Sequence, residues 1–211
     1  MKSLSAAWVS ALMAAVLCFG GVANAQSMSP VAEFANGSVI KFSTRGHVKA
    51  KGAVFSMKVP KSWAALEGER PNIVQKFVSE SGKGLEMALI VTKSIPSNVP
   101  FSKEDIRDFL SADGQQEMLP EGASFITAKS TLMEAEPAGV MEYTMQAKRA
   151  DYDLYIHVLA LTFFQGRTMV QLQFQVGGLP TERANIERRF AIFRPLFQQM
   201  MNSIVFDDKW K

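Results

Sequence analysis

The two histidines are the first residues to consider for chemistry, because histidine is the side chain that most often moves protons near neutral pH. They are His47 and His157. His157 lies between Ile156 and Val158, where it is either a general base or a core histidine bonded to a hydroxyl or to a carboxylate such as that of Glu142. No nucleophile motif accompanies it, so we favour the core interpretation and predict no catalytic residue. A hydrolase that uses His157 is the enzymatic alternative.

A metal site would need clustered histidine, cysteine or acidic residues, and the chain shows no spacing typical of zinc ligands. We therefore predict neither a metal nor a cofactor.

A basic segment gives the best indication of a binding partner. Between Phe34 and Leu66 the chain has no Asp or Glu. The basic residues of this segment are Lys41, Arg45, Lys49, Lys51, Lys58 and Lys61. We predict that the first four form a contact surface for an acidic protein face or for anionic lipid headgroups. The alternative is a solvated edge hairpin whose lysines prevent edge-to-edge pairing. Aromatic residues suited to base stacking are missing, so nucleic acid is not an expected partner.

Two further features have a structural and a functional interpretation. A row of glutamines occupies alternate positions of one strand, at Gln171, Gln173 and Gln175. The row either lines a polar groove or is the more solvent-exposed face of an edge strand. Trp63 follows Pro60 and is either an exposed recognition anchor or a residue packed over a sheet end. We favour packing, because large aromatic side chains dominate core burial.

The first 25 residues have the pattern of a secretory signal. Lys2 precedes an apolar stretch from about Ala6 to Phe19, and Ala23-Asn24-Ala25 is a small-x-small cleavage site. The apolar stretch is shorter than the about 20 residues that span a bilayer. We predict a cleaved signal over 1–25, a periplasmic protein with no transmembrane segment, and one domain over 26–211.

Removal of the signal leaves a nearly balanced chain without cysteine. Lys2 is its only charged residue, so cleavage lowers the formal net charge from +3 to +2. A dedicated nucleic-acid-binding protein is usually more basic. Cys18, the one cysteine, leaves with the signal, so no disulfide is expected.

The elements that must position these residues are mostly strands. Alternation predicts one hairpin from Gly37 to Val59, turning at 44–46, and a second from strands 73–78 and 85–91. Ser102 and Asp105 form a capping-box pattern that starts a helix over 103–112. Strands follow near 124–133, 138–148, 152–164 and 167–176, the last three as an antiparallel meander with turns at 149–151 and 165–166.

Both faces of this meander are apolar, which predicts helices on both sides of the sheet. One face carries His157 with Leu161 and Phe163, and the other carries Ile156 and Val158. A helical stripe near the end of the chain supplies one cover. Its residues are Ile186, Phe190, Phe193, Phe197, Met200 and Ile204. Pro195 predicts a kink or two short helices that break near 193–194.

Several of these strings resemble the PsbP/DcrB superfamily over about residues 50–207. They are the stretches 55–63, 137–143 and 193–206 together with the meander. The resemblance implies an α+β fold, an α/β/α sandwich with a central antiparallel sheet and helices on both faces. It also implies a largely non-enzymatic role, and it carries over no site residue.

From these observations we predict an exported, periplasmic, non-enzymatic binding or accessory module whose partner is unknown. An immunity protein or a secretion chaperone is the alternative.

Overall fold

A seven-stranded antiparallel sheet forms the centre of the protein. The computed structural model describes residues 30–149 and 152–209, so the predicted signal and turn residues 150 and 151 lie outside the described residues. The sheet has the order β3-β4-β5-β9-β8-β7-β6. Its strands are β3 (Ala64–Glu67), β4 (Ile73–Val78), β5 (Glu86–Ser94), β6 (Ala123–Met133), β7 (Glu136–Arg149), β8 (Tyr152–Gln165) and β9 (Thr168–Gly178).

A separate two-stranded sheet and five helices complete the described fold. The small sheet pairs β1 (Val39–Ser43) with β2 (Ser56–Pro60). The helices are α1 (Pro30–Ala35), α2 (Ser79–Gly82), α3 (Lys103–Phe109), α4 (Ala112–Glu117) and α5 (Arg183–Asn202). Single 3-10 turns occupy Val48–Ala50 and Pro180–Glu182.

The larger core lies between one face of the sheet and the layer formed by α1, α5 and the β1–β2 hairpin. One buried cluster joins the sheet to α5. It contains Leu161, Phe163 and Phe174 of the sheet and Phe190 and Phe197 of the helix. The predicted stripe therefore faces the sheet. Trp63, which is 5% exposed, packs near the rings of Phe193 and Phe197 and has the predicted structural role.

The opposite face is covered at one end by α3 and α4. Leu110 packs there with Phe164 and Met169. The side chain of Gln115 lies against Gly139 of β7 and donates to the carbonyl of Lys129, so α4 is tied to the β6–β7 pair. Helices on both faces confirm the predicted sandwich.

The meander has the predicted register. Phe163 pairs with Val170, and His157 pairs with Val176 on β9 and with Thr144 on β7. Residues on alternate positions therefore face α5 or the opposite side, as the apolar pattern indicated.

The chain turns at 44–46 as predicted, and the N–H of His47 donates to the carbonyl of Thr44 at 3.0 Å. β1 and β2 also pair as expected, but this turn does not join them by itself, because residues 44–55 connect the two strands. The buried hydroxyl of Thr44 donates to the carbonyl of Ala53 and accepts from the backbone N–H of Phe55, which holds this longer connection against the core.

Two helix predictions also differ from the structure. Ser111 caps a new helix by accepting from the N–H of Gly114, so the predicted helix over 103–112 ends at Phe109 and α4 follows. α5 continues through Pro195 instead of dividing into two helices. Ala191 and Pro195 are both exposed, so the hydrogen bond that proline cannot donate is lost on the outer side of the helix and not in the core.

Among the residues described, no helix combines the length and the apolar character needed to cross a membrane.

Candidate functional site

The four basic residues predicted to bind a partner lie along the β1–β2 hairpin and its connection. Lys41 is on β1, Arg45 follows that strand, Lys49 is in the 3-10 turn, and Lys51 comes directly after it. They do not form one unpaired cationic patch.

Three of the four cations are engaged by the protein itself. Arg45 binds Asp208 at 2.8 Å. Lys49 Nζ lies 3.3 Å from a carboxylate oxygen of Glu67 and 2.5 Å from the carbonyl oxygen of Gly68. Lys51 Nζ lies 3.4 Å from the carbonyl oxygen of Thr92. The charge asymmetry of the segment is therefore partly neutralised by residues distant in sequence.

Lys41 keeps most of its exposure. Its side chain is 66% exposed, and its Nζ lies 3.9 Å from Asp207, a carboxylate that also accepts hydrogen bonds from Ser43 and Ser56. An exposed ion pair at this distance contributes about 0–1 kcal/mol. Asp207 therefore leaves Lys41 largely accessible to another molecule.

Lys58 lies directly opposite Lys41 on the neighbouring strand. The two are register partners of the antiparallel pair, so their side chains project from the same face of the hairpin. Lys58 is exposed, and no carboxylate of the described residues pairs with its side chain. Like charges placed directly opposite each other destabilise a strand pair. Sequence reasoning recognised Lys58 as basic but missed this pairing, because the length of the connection sets the register.

His157 lies in a second charged cluster, between the sheet and α5. Its Nε2 is 2.9 Å from Oε1 of Glu142 on β7, and its Nδ1 is 2.6 Å from Oε2 of Glu187 on α5. The ring stacks on that of Phe190, with centroids 3.6 Å apart. The predicted contact with Glu142 is present, and the contact with Glu187 was not expected from the sequence.

Arg194 and Tyr155 extend this cluster on either side. Arg194 of α5 donates to Glu142, and the hydroxyl of Tyr155 donates to Glu187. Partial burial and the hydrogen bond to Glu187 raise the pKa of Tyr155, so the phenol is a neutral donor. We call the five residues Arg194, Glu142, His157, Glu187 and Tyr155 the His157 network.

Glu142 is the buried anion of this network. Burial alone would raise the pKa of its carboxyl group. The hydrogen bonds from His157 and Arg194 outweigh burial and hold that pKa below its ordinary value. Glu142 is therefore an ionised carboxylate with both oxygens occupied.

A second buried carboxylate lies on the other flank of α5. Glu86 is fully buried, accepts from the hydroxyl of Ser79 at 2.6 Å and accepts from Nε of Arg189 at 2.6 Å. Helix α5 is thus bound to the sheet by an arginine on each side of its apolar stripe.

The glutamine row lies on a central strand, not at an edge. β9 pairs with β5 on one side and with β8 on the other. The alternative that the row is the solvent-exposed face of an edge strand is therefore wrong. All three side chains are buried, and Gln173 donates to Gln171 at 2.6 Å. Within the described part of the chain, the oxygens of Gln173 and Gln175 have no hydrogen-bond partner.

The described residues hold no group of three or more histidine, cysteine or acidic side chains placed to bind a metal ion.

The strand order, the antiparallel pairing and the two helix layers define an α+β sandwich domain. Neither protein-family profiles nor curated protein sequences give a match to the chain. Among solved structures it is similar to cyanobacterial PsbP of Synechocystis sp. PCC 6803, with a TM-score of 0.50 and 14% identity over 88% of this chain and 98% of that chain.

Two other solved structures are similar at lower scores. LpqN, involved in cell envelope biogenesis of Mycobacterium tuberculosis, has a TM-score of 0.46 and 10% identity over 86% of this chain and 98% of its own. The Ran-binding protein Mog1p of Saccharomyces cerevisiae has a TM-score of 0.43 and 13% identity over 80% of this chain and 95% of its own. The likeness to PsbP confirms the predicted PsbP/DcrB-like fold and extends to the fold alone.

Proposed function

We propose that this protein is an exported, non-enzymatic accessory module that binds an acidic face of another protein through Lys41 and Lys58. The observation that carries the proposal is the direct opposition of these two exposed lysines on the hairpin. A carboxylate placed between them by a partner relieves their repulsion and accepts hydrogen bonds from both ammonium groups.

Two features of the hairpin suit it to this role. Thr44 and the bridge between Ser56 and Val205 hold the hairpin against the core, so the lysines are presented on a supported element. Their neighbours Arg45 and Asp208 neutralise each other at short range. The net cationic charge is thereby concentrated on the pair formed by Lys41 and Lys58, where it accelerates encounter with an acidic surface.

The geometry of His157 supports a non-enzymatic role. A general base needs an unprotonated ring nitrogen that faces the group from which it takes a proton. Both ring nitrogens of His157 face carboxylate oxygens instead, those of Glu142 and Glu187. This arrangement supports a role for His157 in pairing the charges of the two carboxylates.

Export to the periplasm is part of the proposal and rests on the signal pattern of residues 1–25.

The test is binding of the mature protein to immobilised poly-L-glutamate, measured at low and at high salt. Replacement of Lys41 and Lys58 by Gln removes two charges without placing a new carboxylate beside Asp207. We expect this double variant to bind at least about tenfold more weakly, since charge-assisted hydrogen bonds contribute about 1.5–3 kcal/mol each and 1.4 kcal/mol is a factor of ten.

The matched control replaces Lys83 and Lys103 by Gln, two exposed lysines outside the hairpin. It has the same net charge as the first double variant and should bind like the wild type. Equal weakening in both variants, or in neither, contradicts a specific role for Lys41 and Lys58. Binding to phosphatidylglycerol vesicles without binding to poly-L-glutamate contradicts a protein partner and favours a membrane.

A further inference from the structure

Strand β6 forms one edge of the seven-stranded sheet. It pairs with β7 on one side, and the described residues supply no strand on its other side. The edge strand at the opposite end of the sheet, β3, has four residues, whereas β6 has eleven. A long edge strand presents a row of unpaired backbone N–H and C=O groups, which is a template for pairing with another chain.

The turn after β6 fixes which backbone groups point outward. Residues 134–135 both have positive φ angles, of 51° and 65°, as the two-residue turn of a hairpin requires. Met133 and Glu136 flank this turn and are therefore a hydrogen-bonded pair. Hydrogen-bonded and non-hydrogen-bonded pairs alternate along an antiparallel ladder. The next pair, Leu132 with Pro137, is non-hydrogen-bonded, which agrees with the missing N–H of proline.

The outward backbone groups are arranged symmetrically along the strand. By the same alternation, Ala128, Ser130 and Leu132 direct their N–H and C=O groups away from β7. They lie in a regular stretch of strand, residues 127–133, between a register shift that follows Phe125 and the turn. Ser130 is at the centre of this stretch.

This symmetry makes the edge complementary to a second copy of itself. When two β6 strands meet antiparallel about Ser130, Ala128 pairs with the partner's Leu132, and the outward groups exchange about six backbone hydrogen bonds. Leu132, which is 71% exposed, then contacts the partner's Ala128 on one face of the joined sheet. Lys129 lies opposite the partner's Thr131, so no like charges are directly opposed.

The regular stretch carries little of the protection that keeps sheet edges apart. Prolines, bulges and several charged side chains are the usual means of protection. Residues 127–133 contain no proline, and Lys129 is their only charged residue. The register shift precedes this stretch and leaves its pairing groups aligned.

We propose that the protein forms a two-fold symmetric dimer by antiparallel pairing of residues 127–133 of β6, with Ser130 on the symmetry axis. The same surface on both copies forms the contact, so the assembly closes at two copies. This proposal is independent of the lysine pair, because none of its residues belongs to the β1–β2 hairpin.

Sedimentation equilibrium of the mature protein, up to millimolar concentration, tests the association. Ser130→Pro removes an outward N–H, and the β6–β7 ladder should stay intact because an edge strand tolerates proline where its N–H faces solvent. We expect dimerisation at least about tenfold weaker, since the two copies lose the hydrogen bonds on the axis. The control, Ser130→Ala, loses the same hydroxyl, which donates to the carbonyl of Leu110 at 3.1 Å, but keeps the N–H and should dimerise like the wild type.

A second pair of variants tests the apolar contact and decides the matter if Ser130→Pro does not fold. Leu132→Lys places a charge against the partner's Ala128 and should also weaken dimerisation at least about tenfold. Ile192→Lys adds the same charge at an exposed position of α5 and should have no effect. A wild type that stays monomeric, or a dimer that Leu132→Lys weakens no more than Ile192→Lys does, overturns the proposal.

Disulfide crosslinking tests the register. The mature chain lacks Cys18 and so has no cysteine of its own. Ser130→Cys should give a disulfide-linked dimer under mild oxidation, because paired Cα atoms on the axis lie about 5.5 Å apart, within the reach of a disulfide. Ser124→Cys, at an exposed position of the same strand but far from the axis, should not. Equal crosslinking of both variants, or none from position 130, overturns the proposal.

Discussion

Replacement of Glu142 by Gln is the sharpest test of how the sheet holds α5. Gln has nearly the shape of Glu, so the variant removes the charge without creating a cavity. The amide has one acceptor oxygen where the carboxylate has two, and its nitrogen is a donor. His157 and Arg194 each contact a different oxygen of Glu142, so one of the two meets an amide N–H in place of an acceptor and the present arrangement is lost.

The burial of the two partners sets the magnitude. Removal of one member of a fully buried ion pair costs about 3–5 kcal/mol. The side chain of Arg194 is 41% exposed and regains water, whereas that of His157 is only 7% exposed and does not. We therefore expect a loss of about 2–3 kcal/mol in the free energy of unfolding near neutral pH.

The pH dependence has a definite sign. Because the pKa of Glu142 is lower in the folded protein than its ordinary value of 4.5, the carboxylate stabilises the fold fully above that value. This stabilisation is lost as pH falls through the lowered pKa. The difference between wild type and Glu142→Gln should accordingly shrink in acid.

Urea unfolding of both proteins from neutral pH down to about pH 3 measures this difference. The control is Glu136→Gln, because Glu136 forms an ion pair with Lys209 at 3.0 Å but is 52% exposed, and its loss should cost less than about 1 kcal/mol. A cost for Glu142→Gln no larger than that of the control, or one that does not change with pH, would contradict a stabilising role for the ionised Glu142 carboxylate.

Three further predictions concern packing and export. Phe190→Ala and Phe197→Ala should each cost about 3–5 kcal/mol in unfolding free energy, because both rings are buried against the sheet, and a cost below about 1 kcal/mol contradicts this packing. Gly68→Ala should cost about 1–3 kcal/mol by thermal unfolding, since its Cβ would lie 2.1 Å from the backbone oxygen of Ile73; an unchanged melting temperature contradicts it. The intact mass of exported protein should correspond to a chain that begins at Gln26 and does not react with thiol reagents, and retention of residues 1–25 is the contrary result.

The sequence predicted the parts of the fold that depend on local pattern. Strands β6 to β9 agree with the predictions because alternation extends over more than ten residues and the apolar faces define the register. The stripe through Phe190 and Phe197 predicted the buried face of α5 for the same reason. The predicted division of the helix at Pro195 is wrong. Pro195 is tolerated within α5 because it is exposed, and this exposure depends on tertiary packing that the local sequence does not indicate.

The candidate sites depend on contacts between residues far apart in the chain. Asp208, which neutralises Arg45, is 163 positions away from it. Glu187 meets His157 only because α5 packs across β8, and no local pattern links the two. The sequence therefore predicted a basic segment and a buried histidine, but not which cations stay exposed or that His157 lies between two carboxylates.

The most direct test of the proposed function is site-specific photo-crosslinking in the native host. A photoreactive residue replaces Ser43, which is exposed and lies on the same face of β1 as Lys41, in one strain and Lys103, an exposed lysine outside the hairpin, in another. We expect one defined adduct from position 43, with an acidic protein surface at the crosslinked site, and loss of that adduct when Lys41 and Lys58 are also changed to Gln. No adduct from position 43, or the same adduct from position 103, would contradict a binding surface on the hairpin.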